Sequence, residues 1–278
     1  MSITFNETTR IFTLTTAHTT YQMQADAKGY LLHLYYGART AGEMDYLLNY
    51  ADRGFSGNPD SAGSDRTYSL DALPQEYPSL GTGDFRNYAV NIQNGDGSQC
   101  CNLVYISHKI TSGKYALNGL PAVRASEDEA ETLEIILADP VTKVELHLLY
   151  GVLEKEDIIT RSVVIKNAGE SQIIIKKAQS ACLDFLHGDY DLIQFYGRHA
   201  MERNLERVPV SHGSIRIGSR RGSSSHQHNP GVILARKNTT EDSGSCYGML
   251  FVYSGNFLAE AEKDQYNQTR IQMGLTDE

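Results

Sequence analysis

Short runs of alternating apolar and polar residues dominate the chain, separated by Gly, Asn, Asp and Ser. "IFTLTTAHTTYQMQAD" alternates over its first half and resumes after a turn, and "YLLHLYYG" follows. "QCCNLVYISHKIT", "TLEIILAD", "KVELHLLYGVLEKEDIITRSVVIKNAG" and "QIIIKKAQSACLDF" continue the pattern. "DLIQFYG", "SIRIGSR", "GVILARK", "CYGMLFVYSG", "NFLAEAEKDQ" and "TRIQMGL" complete it. A period of two puts successive side chains on opposite faces of a strand. About a dozen such runs, with turn signals every ~8–15 residues, predict an all-β protein of sandwich type. "AGEMDYLLNYAD" alone suggests a short helix. In "DIITRSVVI", Ile159 and Arg161 face one way and Ile158, Thr160 and Ser162 the other. Each face of that strand mixes polar and apolar residues, as near a junction between sheets. The segment from Arg39 to Arg86 differs, being rich in Gly, Pro and Asp with only brief periodicity. A loop that long is uncommon unless functional, so a site is sought there first.

The 278 residues suit one large β domain or two ordinary ones. A chain of this size buries about three quarters of its unfolded surface without disulfide staples. The net charge of −9 and pI of about 5.5 argue against nucleic acid and anionic membranes as partners, which call for clustered Lys and Arg. Arg216 with Arg220 and Arg221 is the densest basic spot and is too small for a patch. No run approaches the ~20 apolar residues that cross a bilayer, and no basic-then-apolar leader is visible. The expectation is a cytoplasmic protein. Cys100, Cys101, Cys182 and Cys246 show no CxxC spacing, hence no zinc or redox signature. They are expected to be reduced, partly buried thiols, with Cys100 and Cys101 on opposite faces if they lie on a strand. Tryptophan is absent and tyrosine numbers 17, most of it strand and loop packing.

"SRRGSSSHQHNP", Ser219 to Pro230, concentrates hydroxyls and imidazoles. His226 and His228 are two apart and would share a face of a strand. Zinc needs at least three protein ligands and no third is evident. No glycine-flanked nucleophile elbow surrounds the serines. The segment therefore reads as structural, with Ser223, Ser224 and Ser225 satisfying backbone groups in a tight, buried turn. Glu76 and Asp84 suggest an acid/base pair, but a Pro-flanked, Gly-rich loop fixed by salt bridges is the stronger reading. Asp52 in "YADRGFSGNPD" is either a hydroxyl acceptor or half of an exposed Asp-Arg turn salt bridge. On the residues alone the salt bridge is the commoner meaning.

Five motifs carry a resemblance: "SLDALPQEYPSLGTGDFR" (Ser69 to Arg86), "EAETLEI" (Glu129 to Ile135), "DIITRSV" (Asp157 to Val163), "IGSRRGSSSHQHNP" (Ile217 to Pro230) and "VYSGNFLAE" (Val252 to Glu260). Together, and in order, they resemble the N-terminal domain of bacterial α-galactosidases of glycoside hydrolase family 36. The resemblance runs from Phe5 to Leu275. It implies a large antiparallel β-supersandwich, galactose mutarotase-like with few or no helices, spanning 1–278. In the family a catalytic (β/α)8 barrel and a C-terminal β domain follow, and the nucleophile lies in a Lys-Trp-Asp barrel motif. A chain without tryptophan lacks that motif, so no catalytic residue, metal or cofactor is expected here.

The implied parent is a retaining enzyme that cleaves terminal α-1,6-linked galactose from melibiose- and raffinose-type oligosaccharides. It would be a homo-oligomer, a tetramer. By resemblance Asp52 contacts galactose, and Arg66 in "DRTYSLD" points toward the same pocket. His199 stands where the family commonly has a substrate-contacting tryptophan. The 219–230 segment lies near the barrel interface, with Arg220 and Arg221 pairing acids. Two rivals are carried. An aldose mutarotase-like epimerase needs a His acid and a Glu base in one cleft, here His226 or His228 with Glu76. A non-catalytic carbohydrate-binding or oligomerisation module calls for exposed tyrosine platforms or a large apolar flank.

Overall fold

The computed structural model describes residues 2–54, 57–224 and 226–277. Strands come first in the order β1 (Ile3–Asn6), β2 (Ile11–Thr15), β3 (Thr19–Ala25), β4 (Leu31–Ala38) and β5 (Val90–Gln93). Then follow β6 (Val104–Ser112), β7 (Glu131–Ala138), β8 (Val144–Leu153), β9 (Ile158–Asn167) and β10 (Ile174–Phe185). The last are β11 (Tyr190–Arg198), β12 (Met201–Pro209), β13 (Gly213–Ser219), β14 (His228–Arg236), β15 (Cys246–Leu250), β16 (Phe257–Lys263) and β17 (Thr269–Gly274). The fold is all-β, and its strand ladders are antiparallel. Two single-turn 3-10 helices, Asp45–Leu47 and Asp60–Ala62, are the helical elements among the described residues. The first is all that forms in "AGEMDYLLNYAD". It has no side-chain cap and buries none of its residues, and a short helix without a packed face does not propagate.

The chain divides into two compact units, 1–118 with 122–176 and 119–121 with 177–278. The first unit holds two meanders, β1-β2-β3-β4 and β6-β7-β8-β9. Alternation builds their contact: Val144, Leu146, Leu148 and Tyr150 of β8 are buried while Glu145, His147 and Leu149 are half-buried. The meanders face each other through Phe12 and His108, ring centroids 4.9 Å apart, and through Tyr21 and Tyr150 at 6.3 Å. A fully buried apolar side chain such as Phe12 contributes about 1.5–3 kcal/mol. One carboxylate also latches the first strand: Glu131 Oε2 accepts from Ser2 N at 2.6 Å, Ser2 Oγ at 2.8 Å and Ile3 N at 3.0 Å.

In the second unit the orders β13-β16-β17-β10 and β12-β11-β14-β15 appear. Leu192, Val232, Leu234, Phe257 and Ile271 are buried in it. So are two ion pairs, Lys177–Glu260 and Arg270–Asp184, each at 2.7 Å. The stretch before β6 is not strand at Cys100 and Cys101. Cys101 N bonds Leu80 O, and Asn102 N bonds the Asp139 side chain, so no ladder sets their faces. Cys100 and Cys246 are exposed, Cys101 and Cys182 are buried, and none is in a disulfide.

The irregular run between β4 and β5 is anchored rather than loose. Tyr30, Leu32, Ala62, Tyr68, Leu70 and Leu73 form a buried cluster, with Leu48 packed against it. At Gly57 a Cβ would sit 2.6 Å from the Gly83 carbonyl oxygen. Only glycine lets two backbones approach that closely.

Candidate functional site

Asp52 and Arg66 come together on the surface of the first unit. Asp52 Oδ1 accepts from Gly54 N at 2.9 Å, a local turn that aims the carboxylate. The same oxygen lies 3.1 Å from Arg66 Nη2, with the Arg66 and Asp52 side chains 64% and 53% exposed. Arg66 is set in a second turn, where Asp65 Oδ1 accepts from Thr67 N at 2.9 Å and Thr67 Oγ1 at 2.7 Å. Those hydrogen bonds hold the Asp65 carboxyl below its ordinary range. The result is a carboxylate with free acceptor capacity beside a planar five-donor guanidinium, both open to solvent. That is chemistry suited to vicinal hydroxyls. Of the two readings of Asp52, the exposed Asp-Arg ion pair is the one observed, made with Arg66 across the loop. Tyr46, 72% exposed, belongs to the same segment.

His199 lies in the turn between β11 and β12, exposed, beside Ala200 with a left-handed φ of 62°. It belongs to the second unit and the Asp52–Arg66 pair to the first. The hairpin does present an imidazole to solvent.

Glu76 is no surface base. It is fully buried, and its oxygens accept from Tyr21 OH at 2.6 and 2.7 Å and Tyr150 OH at 2.7 Å. His33 Nδ1 lies at 3.1 Å and Arg161 Nη2 at 2.8 Å. Burial pushes its carboxyl up, but the Arg161 guanidinium, His33 and the Tyr21 hydroxyl outweigh that and hold it below the usual range. The epimerase rival fails here, because a base sealed inside a core cannot reach a sugar. The acid/base pairing of Glu76 with Asp84 fails likewise. Asp84 is buried and forked onto Arg86, Oδ1 to Nε at 2.9 Å and Oδ2 to Nη2 at 3.0 Å. The salt-bridged-loop reading of both residues holds.

The described residues of the 219–230 segment do satisfy backbone groups, Ser224 Oγ donating to Tyr253 O at 3.4 Å, but they do not form a buried turn. Ser219 Oγ donates to Ser223 O at 2.6 Å and Gly222 N to Asn256 Oδ1 at 2.6 Å, yet Arg220, Arg221, Gly222 and Ser223 are exposed. Ser225 lies outside the described residues. His226 sits in an exposed turn and His228 opens β14 opposite Tyr196. They do not share a strand face, because the strand begins between them. Arg220 pairs with Asp277 at 2.9 Å, and Arg216 bonds the same carboxylate. A surface cleft of about 450 Å³ opens here between Tyr196, Ser219, Arg220, Arg221 and His228.

Sequence reasoning missed Tyr21, His33, Tyr150 and Arg161. The available signal was Arg161 itself, a cation on a strand that pairs with the buried row of β8. A charge in that position needs a buried acid.

The model of the Glycosyl hydrolase family 36 N-terminal domain matches residues 29–278. Over 278 residues the chain is 67% identical to the bifunctional alpha-galactosidase/sucrose kinase AgaSK of Mediterraneibacter gnavus, covering 100% of this chain and 30% of that protein. It is 44% identical to alpha-galactosidase AgaA of Geobacillus stearothermophilus, covering 99% of this chain and 38% of that one. Against the solved galactosidase domain of AgaSK the TM-score is 0.98, with 99% of this chain and 38% of that chain covered. Against AgaA A355E D548N in complex with raffinose it is 0.92 at 44% identity, covering 96% and 37%. The chain thus spans between 30% and 38% of the length of these relatives.

Proposed function

The chain belongs to the N-terminal domain family of glycosyl hydrolase family 36, and from that premise we propose that 1–278 is the supersandwich domain of a retaining α-galactosidase. The parent enzyme hydrolyses terminal α-1,6-linked galactose from melibiose- and raffinose-type oligosaccharides. Retention needs two carboxylates about 5 Å apart, a nucleophile and an acid/base. In this reading both lie in a barrel outside the chain. The domain's share is substrate contact through Asp52 and Arg66, with His199 as a further contact, and assembly into a homo-oligomer, a tetramer. The unpaired surface thiols Cys100 and Cys246 support a reducing, cytoplasmic setting. Solved relatives hold raffinose and stachyose, which supports the substrate class.

One observation carries the reading: an exposed carboxylate and guanidinium preset on turns, with no burial to explain them. Asp52 would accept sugar hydroxyls while Arg66 fixes its orientation and donates beside it. In the complete enzyme, Asp52→Ala removes a charged acceptor worth roughly 1.5–3 kcal/mol. That is about ten- to a hundredfold in kcat/KM, with KM raised and the melting temperature kept. A variant that melts many degrees lower, or that leaves kcat/KM unchanged, makes the segment scaffolding and ends the assignment.

A further inference from the structure

Asp52 and Arg66 are separated by a long excursion and joined by an exposed ion pair, which by itself holds its members weakly. A second connection spans the same gap. Tyr50 lies two residues before Asp52 and Tyr68 two residues after Arg66, and their rings stack, centroids 6.1 Å apart and planes inclined by 24°. The stack therefore ties the two backbones that carry the pair.

Tyr68 is a fixed anvil for it. The residue is 3% exposed, and its hydroxyl donates to Asp26 Oδ2 at 2.5 Å. Asp26 Oδ1 accepts from Lys28 N at 2.9 Å and Tyr30 N at 2.8 Å. The Lys28 ammonium lies 5.1 Å from the Tyr68 ring centroid and donates to Ser61 O at 2.9 Å. Tyr50 is different, being 46% exposed as a residue. The hydrophobic anchor of this strand of chain is Leu48, which packs on the buried cluster. Tyr50 meets that cluster at the Tyr68 ring, two residues from the carboxylate it would hold in register.

We propose that Tyr50 is a positioning residue, its ring stacked on Tyr68 to keep Asp52 and Arg66 in one preset geometry for a sugar; this rests on the sugar-contact reading of that pair. Preset groups lower the ordering cost of binding, so the effect falls on substrate affinity and not on the chemical step.

The experiment measures kcat, KM and melting temperature on melibiose for the complete enzyme carrying this chain. The variants are Tyr50→Ala, Tyr50→Phe, Asp52→Ala and the double Tyr50→Ala/Asp52→Ala. Tyr50→Ala raises KM about three- to tenfold with kcat within about twofold, the signature of lost binding. Tyr50→Phe, which keeps the stack, behaves as the parent. The double variant is worse than Asp52→Ala by less than the Tyr50→Ala factor, since with Asp52 gone the ring acts only through Arg66. If Tyr50→Ala does not fold, Tyr50→Leu replaces it, with the same rise in KM. An unchanged KM in Asp52→Ala overturns the sugar-contact reading and this inference with it. A raised KM in Asp52→Ala beside an unchanged one in Tyr50→Ala overturns the inference alone. A double variant worse by the full Tyr50→Ala factor, or a Tyr50→Phe as impaired as Tyr50→Ala, does the same.

Discussion

Replacing Arg161 by Met tests the buried hub around Glu76. The carboxylate is fully buried and the Arg161 side chain is 9% exposed. Methionine fills much of the arginine's volume but leaves Glu76 without a countercharge, and breaking a buried pair costs about 3–5 kcal/mol. Tyr21, Tyr150 and His33 still donate to the carboxylate, which places the expected loss near the low end, about 3 kcal/mol. At about 2–4 °C per kcal/mol for 150–250 residues, the melting point falls by about 6–12 °C. Glu76→Gln keeps an acceptor for the hydroxyls but strands Arg161, and should cost a similar amount. The double variant Glu76→Gln/Arg161→Met leaves no buried charge in the pair. It should lose less than the sum of the singles by about 1–3 kcal/mol. Urea unfolding at neutral pH, read by far-UV circular dichroism and tyrosine fluorescence in a chain without tryptophan, measures all three. A single-variant loss below about 1 kcal/mol, or simple additivity in the double, refutes the hub as a coupled ion pair.

The same hub sets an acid limit. The Glu76 carboxyl is held below its unfolded value near about 4.3, so its stabilisation is complete above that pH and is lost as pH falls through the lower folded value. Glu76→Gln should flatten this acid-side slope, and an unchanged slope counts against it. For the thiols, a disulfide reagent should label Cys246 quickly and Cys100 more slowly, because burial raises the Cys100 thiol. Cys101, pushed up to about 12 by burial, and Cys182 should react only after unfolding; four fast thiols would contradict the fold. The 278-residue chain alone should not turn over an aryl α-galactoside, and enzyme-like rates in that assay would overturn the assignment of chemistry to a separate barrel.

Strands were readable wherever one face is buried. The alternation of β8 is plain in "VELHLLYG" because Val144, Leu146, Leu148 and Tyr150 face the core. What could not be read is who meets whom. Glu76 stood out in its motif, but its partners come from β3, β4, β8 and β9, and no local spacing encodes them. Lys177 and Glu260 are 83 residues apart and equally silent. For Asp52 an exposed Asp-Arg pair was legible, and what local spacing could not say is that the arginine is Arg66, 14 residues on, and not the adjacent Arg53. The 226–228 histidines misled because a spacing of two means a shared face only inside a strand. Ser223 misled because small hydroxyl residues favour exposed turns as much as buried ones.

The Glu76 hub also puts a clock on synthesis. Arg161 donates to Tyr21 across 140 residues of chain. At about 5–20 residues per second, it is made about 7–28 s after that tyrosine. Until then Glu76, in the run after β4, has Tyr21 and His33 beside it and no guanidinium. A carboxylate buried without its cation is costly, so that group stays hydrated or takes up a proton until β9, the last strand of the second meander, brings the guanidinium.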